Sequence, residues 1–144
     1  MNGEIMNFVK SDSMKISVSK EQEKQLSSKE TILQGIKDNK VIAFDIFDDS
    51  ELIGFAMIRE FERGCFFFWD FAIDSKFQNK GLGEKALTEL LLFMKKNYSI
   101  EIMTTTYIKG NNHAKHIYEK LGFKETDVVD EPDCKEVNMV YLFS

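Results

Sequence analysis

The segment Gln78-Asn79-Lys80-Gly81-Leu82-Gly83 constrains the fold of this chain more than any other stretch. It lies between an apolar, aromatic run at residues 65–73 and a helix-like run at residues 84–97. In the second run Ala86, Leu87, Leu90, Leu91 and Met94 recur at the spacing of one buried helix face. A strand, a glycine-bearing loop and a helix in that order aim successive backbone N–H groups at one point. The positive N-terminal end of the helix adds to them, and the result suits a phosphate or pyrophosphate. Glycines ahead of a helix also serve a plain turn, so the rest of the chain must decide.

Two other phosphate loops fail. Gly81-Leu82-Gly83-Glu84-Lys85-Ala86 has the Gly-x-Gly-x-x-Ala spacing of a dinucleotide fingerprint. That motif needs a tight turn directly off the strand, and residues 74–80 intervene. It also needs an acidic residue ~20 positions on, where residues 103–106 offer none, and further parallel strand–helix units, which the remaining sequence lacks. A nucleoside-triphosphate loop, Gly-x-x-x-x-Gly-Lys-Ser/Thr, is absent.

Hydropathy patterning supplies the frame. Residues 4–9 read as a first strand, and residues 11–19 fit helix or strand equally. Ser19-Lys20-Glu21-Gln22 and Ser27-Ser28-Lys29-Glu30 each have the form of a capping box. The second leads into Ile32, Leu33 and Ile36, so one or two short helices end near Asn39. Residues 41–47, 52–59 and 65–73 form an antiparallel meander, with Gly54 marking a bulge. After the helix come a strand at 100–107, a helix carrying Ala114, Ile117, Tyr118 and Leu121 stopped by Gly122, a short strand at 123–125, an acidic loop at 127–133 and a strand at 137–143. This order predicts a mixed α/β fold, a mostly antiparallel twisted sheet flanked by helices with one strand–helix–strand crossover. Residues 1–144 read as a single domain.

Composition excludes several function classes. Hydrophobic residues make up 43% and charged residues 30%, a globular balance. No apolar run approaches the ~20 residues of a membrane span, and the first residues lack a basic and then apolar leader. The expected setting is cytoplasmic, with no membrane partner. Net charge is −5 and the lysines are dispersed, so no basic patch for nucleic acid is expected. Cys65 and Cys134 lack metal-ligand spacing, and His113 and His116 lie three apart without further ligands, so no metal is expected.

The second motif is Asn111-Asn112-His113-Ala114-Lys115-His116-Ile117-Tyr118-Glu119-Lys120-Leu121-Gly122-Phe123. Alone it reads as a capped amphipathic helix with a half-buried tyrosine. It also matches the pattern Asn-x-x-Ala-x-x-x-Tyr-x-x-x-Gly-Phe, while the first motif matches Gln/Arg-x-x-Gly-x-Gly/Ala. Together, in this order and one helix and one strand apart, the two motifs resemble the GNAT superfamily of acyl-CoA-dependent N-acyltransferases. The resemblance covers residues 52–123 well. Within the family, residues 18–22 and 69–74 look like bacterial polyamine (spermidine/spermine or diamine) acetyltransferases.

The resemblance implies roles. Backbone groups of Phe71, Ala72 and Ile73 would pair with the pantetheine arm of acetyl-CoA. Gln78 would open the loop, and amides of Asn79, Lys80, Gly81, Leu82, Gly83 and Glu84 would hold the pyrophosphate. Asn111 would bind the pantetheine side, and Tyr118 would stand near the sulfur. Many family members have Arg and Gly at the positions of Gln78 and Asn79, and proline at that of Ser75. Asn tolerates positive φ, so the loop is expected to survive.

The residue types suit the chemistry. An ammonium substrate must lose a proton before attacking a thioester, and Asp70 is the candidate base. A surface or ion-paired aspartate is the other reading of Asp70. A backbone N–H of the same strand could stabilise the oxyanion, and Tyr118 could return a proton to the CoA thiolate. The implied function is acetyl transfer from acetyl-CoA to a primary amine such as a polyamine, by direct attack in a ternary complex. Acetylation of a peptide N-terminus or an aminoglycoside is the alternative, and a non-catalytic acyl-CoA-binding module is the rival of another class. Asp45, Glu60, Asp70 and the loop at 127–133 are the acidic candidates for a cationic acceptor. The family also implies a homodimer.

Overall fold

The computed structural model describes residues 6–144. Seven strands form one sheet in the order β1-β2-β3-β4-β5-β7-β6. They are β1 Met6–Lys10, β2 Val41–Asp48, β3 Glu51–Glu62, β4 Cys65–Ile73, β5 Ile102–Ile108, β6 Lys124–Glu131 and β7 Cys134–Leu142. The helices are α1 Lys20–Glu23, α2 Lys29–Ile36, α3 Leu82–Asn97 and α4 Asn112–Leu121. The β4–β5 pair is parallel and is joined through α3, while the other strand pairs are antiparallel. This is the mixed fold with one crossover that the pattern predicts. Among the described residues no helix is long and apolar enough to cross a membrane.

Alternation along the meander buries both faces of the sheet. Phe44, Ile46, Ala56 and Ile58 join one core with Ala86, Leu87, Leu90 and Met94 of α3. Their neighbours in sequence, Ala43, Phe55 and Met57, join a second core with Ile16 and Ile32, against which Trp69 packs. A strand buried on both faces reads as a continuous apolar run rather than an alternating one. That explains the unbroken burial of residues 53–58 in β3.

Three bulges interrupt the central strands, and two of them bear on the site. Ile46 faces Gly54 but Phe47 faces Leu52, which leaves Ile53 as the extra residue. The bulge therefore adjoins Gly54, as expected. Met57 faces Asp70 but Ile58 faces Phe68, which leaves Trp69 extra on β4. An extra residue bends its strand and re-aims the side chains beside it, and here the neighbour is Asp70.

Several boundaries differ from expectation. Met6–Lys10 begins inside the expected first strand, whose residues 4 and 5 lie outside the described set. Residues 11–18 adopt neither helix nor strand. The cap of α2 is Ser28, whose side chain accepts from Thr31 N, and not Ser27. The Ser27 amide is engaged by Asp70 instead, a contact 43 residues away in sequence. The acidic stretch at 127–133 is not a loop: most of it is strand β6, paired with β7 from Lys124 to Glu131. A strand with charged, solvent-facing side chains at a sheet edge has weak alternation and reads locally as a loop.

Gly54 provides a test of the packing between β3 and β4. A Cβ there would lie 2.8 Å from the backbone oxygen of Ala72. Gly54→Ala should therefore destabilise the protein by about 1–3 kcal/mol in urea unfolding. A variant with an unchanged midpoint would contradict this packing.

Candidate active site

The two parallel strands stay together for only three residues. Cys65, Phe66 and Phe67 face Ile102, Met103 and Thr104, and no further pairing of β4 with β5 follows. Past that point β4 remains bound to β3 as far as Ile73, and β5 remains bound to β7 as far as Ile108. Each strand keeps its outer partner while the inner edges part, and a cleft opens at their carboxyl ends. Crevices outside the carboxyl ends of parallel strands are the usual ligand sites of such sheets.

Peptide geometry fixes what the β4 wall presents. The Asp74 N–H donates across to Ile53 O of β3 at 2.7 Å. Alternation then turns the N–H and C=O of Phe71 and Ile73 toward the open edge. Ala72 turns its backbone groups to β3, so of the three expected residues it is the one whose polar atoms do not face the cleft. Asp74 accepts from Ser17 N and Lys76 N at 3.0 and 2.9 Å, and these bonds hold its carboxyl below the usual range. Asp74 thus closes the strand and starts the short 3₁₀ turn over Ser75–Phe77.

The loop that follows is built from two left-handed residues. Asn79 has φ 62° and Gly81 has φ 76°. The asparagine takes the conformation that glycine would favour, as anticipated. Gly81 caps α3 with no side-chain bond to the helix amides, and a Cβ on it would meet nothing within 4 Å. The first amides of α3, those of Leu82, Gly83 and Glu84, have no intrahelical partner by construction. They sit at the positive end of a 16-residue helix. Gly83 lies close over β4, where a Cβ would stand 3.7 Å from Ile73 Cγ1. Lys80 lies over the Phe77 ring at 5.8 Å and Lys76 at 5.7 Å, so cationic side chains flank the loop. The Glu84 carboxylate is drawn to Lys120 of α4 at 3.2 Å. Gln78 folds back on the strand and donates from Nε2 to Ile73 O at 2.9 Å.

The β5 wall carries Tyr118. It projects from α4, half-buried, against Phe123 with ring centroids 5.4 Å apart. Burial pushes its phenol above the ordinary value, and a hydrogen bond with Thr105 acts in the opposite sense. Thr105 is buried and lies just beyond the point where β5 leaves β4. Asn111 caps α4 through Ala114 N at 3.2 Å and donates from Nδ2 to Gln25 Oε1 at 2.6 Å.

Asp70 stands on the β4 wall beside the Trp69 bulge and is 5% exposed. Its Oδ1 accepts from Ser27 N at 2.9 Å, and its Oδ2 is buried without a hydrogen-bond partner. Desolvation raises its pKa, with the Ser27 bond opposing. The other acidic candidates lie elsewhere. Asp45 is paired with Lys15 at 3.0 Å, and Glu60 turns to Gly64 N at the end of β3 remote from the cleft. Asp127 and Asp130 are engaged within the β6–β7 hairpin. His113 and His116 are exposed on α4, and among the described residues no group of three or more potential metal ligands occurs.

The sequence gives no reason to place Gln22, Gln25, Ser27 or Thr105 at the site, although Gln22 and Ser27 stand in the two capping-box stretches. The first three reach the site through contacts 43 to 86 residues apart in sequence, and no local pattern encodes such contacts. Thr105 is one of three successive threonines, and only its register on β5 singles it out.

The Asp70 carboxyl gives a pH signature. A raised native pKa means that the folded state holds the proton more tightly than the unfolded chain. Ionisation therefore costs stability as pH rises above the ordinary value of 3.8. Asp70→Asn keeps an oxygen for Ser27 N–H and removes the buried charge. It should unfold at higher urea than wild type at neutral pH, with a gain that fades as pH falls toward that value. A variant less stable than wild type at neutral pH would contradict the unpaired buried carboxylate.

Comparison with known proteins places this geometry. The Acetyltransferase (GNAT) family model matches residues 8–123. A spermine/spermidine N(1)-acetyltransferase of Bacillus subtilis is 28% identical over 92 residues, which is 59% of this chain and 60% of that protein. A [ribosomal protein uS5]-alanine N-acetyltransferase of Escherichia coli is 29% identical over 93 residues, covering 62% of this chain and 48% of that one. The matches thus span less than two thirds of these relatives' own lengths. The crystal structure of a GNAT family acetyltransferase from Elizabethkingia anophelis with acetyl-CoA bound superposes with a TM-score of 0.74 at 17% identity, over 96% of this chain and 98% of that one. With a family model matched across both motifs and both strands of the splayed pair, this chain belongs to the GNAT acetyltransferase family.

Proposed function

We propose that this chain, acting as one domain, transfers an acetyl group from acetyl-CoA to a primary amine by direct attack in a ternary complex. The observation that carries the reading is the open inner edge of β4 ending in a left-handed loop at the bare N-terminus of α3. An extended ligand with amides along its length and a pyrophosphate at its end fits that sequence of features. Phe71 and Ile73 would pair with the amides, and the backbone from Asn79 to Glu84 would take the pyrophosphate. Room is available there, since nothing lies within 4 Å of a Cβ on Gly81. When bound, acetyl-CoA supplies an acetyl group activated as a thioester.

The two walls then hold complementary proton functions. Asp70 has a raised pKa and an unpartnered oxygen, which suits a group that accepts a proton from an ammonium. Tyr118 has a phenol pushed upward by burial, so it is protonated at neutral pH and available as a donor. Asn111 belongs to the same wall, although its side chain is shared between the α4 cap and Gln25. A pure binding module has no use for such a pair, which favours an enzyme over a non-catalytic acyl-CoA binder.

A small cationic amine such as a polyamine is the acceptor we favour. The support is the polyamine activity named for the Bacillus relative and the unsatisfied carboxylate of Asp70. The Escherichia coli relative, named for a protein alanine, keeps a peptide N-terminus as the alternative. Of the other carboxylates named from the sequence, Asp45, Glu60, Asp127 and Asp130 are bound to partners outside the cleft and lend support to neither.

Release of CoA should be measured with acetyl-CoA and a panel of spermidine, simple monoamines, aminoglycosides and peptides. Turnover is expected, fastest with the polyamine. Tyr118→Phe should lower kcat by roughly 10²–10⁴-fold while acetyl-CoA affinity changes little. Turnover by the variant within a factor of about two of wild type would reduce Tyr118 to a packing residue. Turnover only with peptides would move the acceptor to the alternative, and no turnover with any amine would overturn the enzyme reading.

A further inference from the structure

Glu84 brings a negative charge to the end of α3 that is meant to receive one from a ligand. Gly81 is the N-cap of α3, so Glu84 is the third residue of the helix and lies in its first turn. A glutamate at that position ordinarily reaches back to the amide of the cap residue, and so serves as a built-in anion for the helix end. The cap itself offers those amides no rival, because Gly81 has no side chain to bond them. Left alone, the Glu84 carboxylate would be the anion that this helix end holds.

The structure turns that carboxylate elsewhere. Glu84 Oε2 pairs with Lys120 Nζ at 3.2 Å, and the two side chains are 39% and 58% exposed. Lys120 lies in the last turn of α4, just ahead of Gly122, which ends the helix at φ 112°. The pair therefore joins the first turn of α3 to the last turn of α4, the helix that carries Tyr118. Each charge also suits its own helix, with the carboxylate at the positive end of α3 and the ammonium at the negative end of α4. A pair this exposed adds little to stability, because water screens it and two long side chains must be ordered to form it. Its consequence lies in where it leaves the carboxylate.

We propose that Lys120 is a positioning residue for the cofactor: it holds the Glu84 carboxylate off the N-terminal amides of α3 and offsets its charge, which leaves those amides to an external pyrophosphate. The inference rests on the acetyl-CoA reading given above. Without the ammonium, Glu84 turns back to the helix end and repels a ligand that carries several negative charges. Lys120 thus acts through Glu84 and not by touching the ligand.

The test is a double-mutant cycle, with CoA titrated by calorimetry into wild type, Lys120→Met, Glu84→Gln and the double variant. Methionine keeps an apolar stem in place of the lysine and removes the ammonium. Lys120→Met should weaken CoA binding roughly three- to tenfold. Glu84→Gln keeps the backbone amide and should bind CoA at least as tightly as wild type. The double variant should bind within about twofold of Glu84→Gln, because no carboxylate remains to be restrained. Equal losses on removing Lys120 with Glu84 present or replaced would mean that Lys120 meets the phosphates directly or merely supports α4, and would overturn the proposal. Unchanged affinity in Lys120→Met, or weaker binding by Glu84→Gln, would overturn it too. Each of those results leaves the CoA site in place, whereas failure of wild type to bind CoA would overturn the acetyltransferase reading and this inference with it.

Discussion

The separation of β4 from β5 is the constraint on which the site depends. The two strands share three paired residues, and each then follows its outer neighbour. Backbone N–H and C=O groups are obligatory hydrogen-bonding groups, so a parted strand edge must find other partners. In this protein some come from side chains: Gln22 and Gln78 converge on Ile73 O. The same unpaired edge that would be a liability in a closed sheet is here a template for an extended ligand.

Everything else positions that edge. The two cores hold β3 and β4 rigidly from both faces, and the bulge at Trp69 turns Asp70 into contact with Ser27. Helix α3 docks its apolar face through Ala86, Leu90 and Met94, which fixes where its bare N-terminus and the loop before it must lie. Tyr118 and Thr105 bring the second wall into the same cleft from β5 and α4. The result is a groove with backbone donors and acceptors on one side and a protonated phenol on the other. A carboxyl that resists ionisation lies beside the bulge.

The parts of this arrangement that were legible in the sequence are local ones. Residues 65–73 are an apolar run rich in aromatics, and the strand has those bounds. The helix stripe from Ala86 to Met94 is buried, and Gly122 closes α4 at φ 112°. The loop chemistry was readable because left-handed geometry has few residue solutions, and Asn79 and Gly81 are two of them. What was not legible depends on register or on distant partners. The Trp69 bulge is a mismatch between two strands and leaves no mark on either alone. The charged edge strand β6 read as a loop because its alternation is masked by solvent-facing acids. The separation of Asp70, buried beside the bulge, from Asp45 and Glu60, which have other partners, required the assembled sheet.

The central claim is that the inner edge of β4 and the loop before α3 form one continuous site for acyl-CoA. Titration of CoA followed by backbone amide NMR tests it most directly. The account predicts the largest shifts at Phe71, Ile73 and the amides from Asn79 to Glu84, saturating together with a single affinity. Shifts confined to other surfaces, such as the shallow cavity of about 490 Å³ beside Met6, Phe8 and Phe93, with the β4 edge and the loop unchanged, would contradict it.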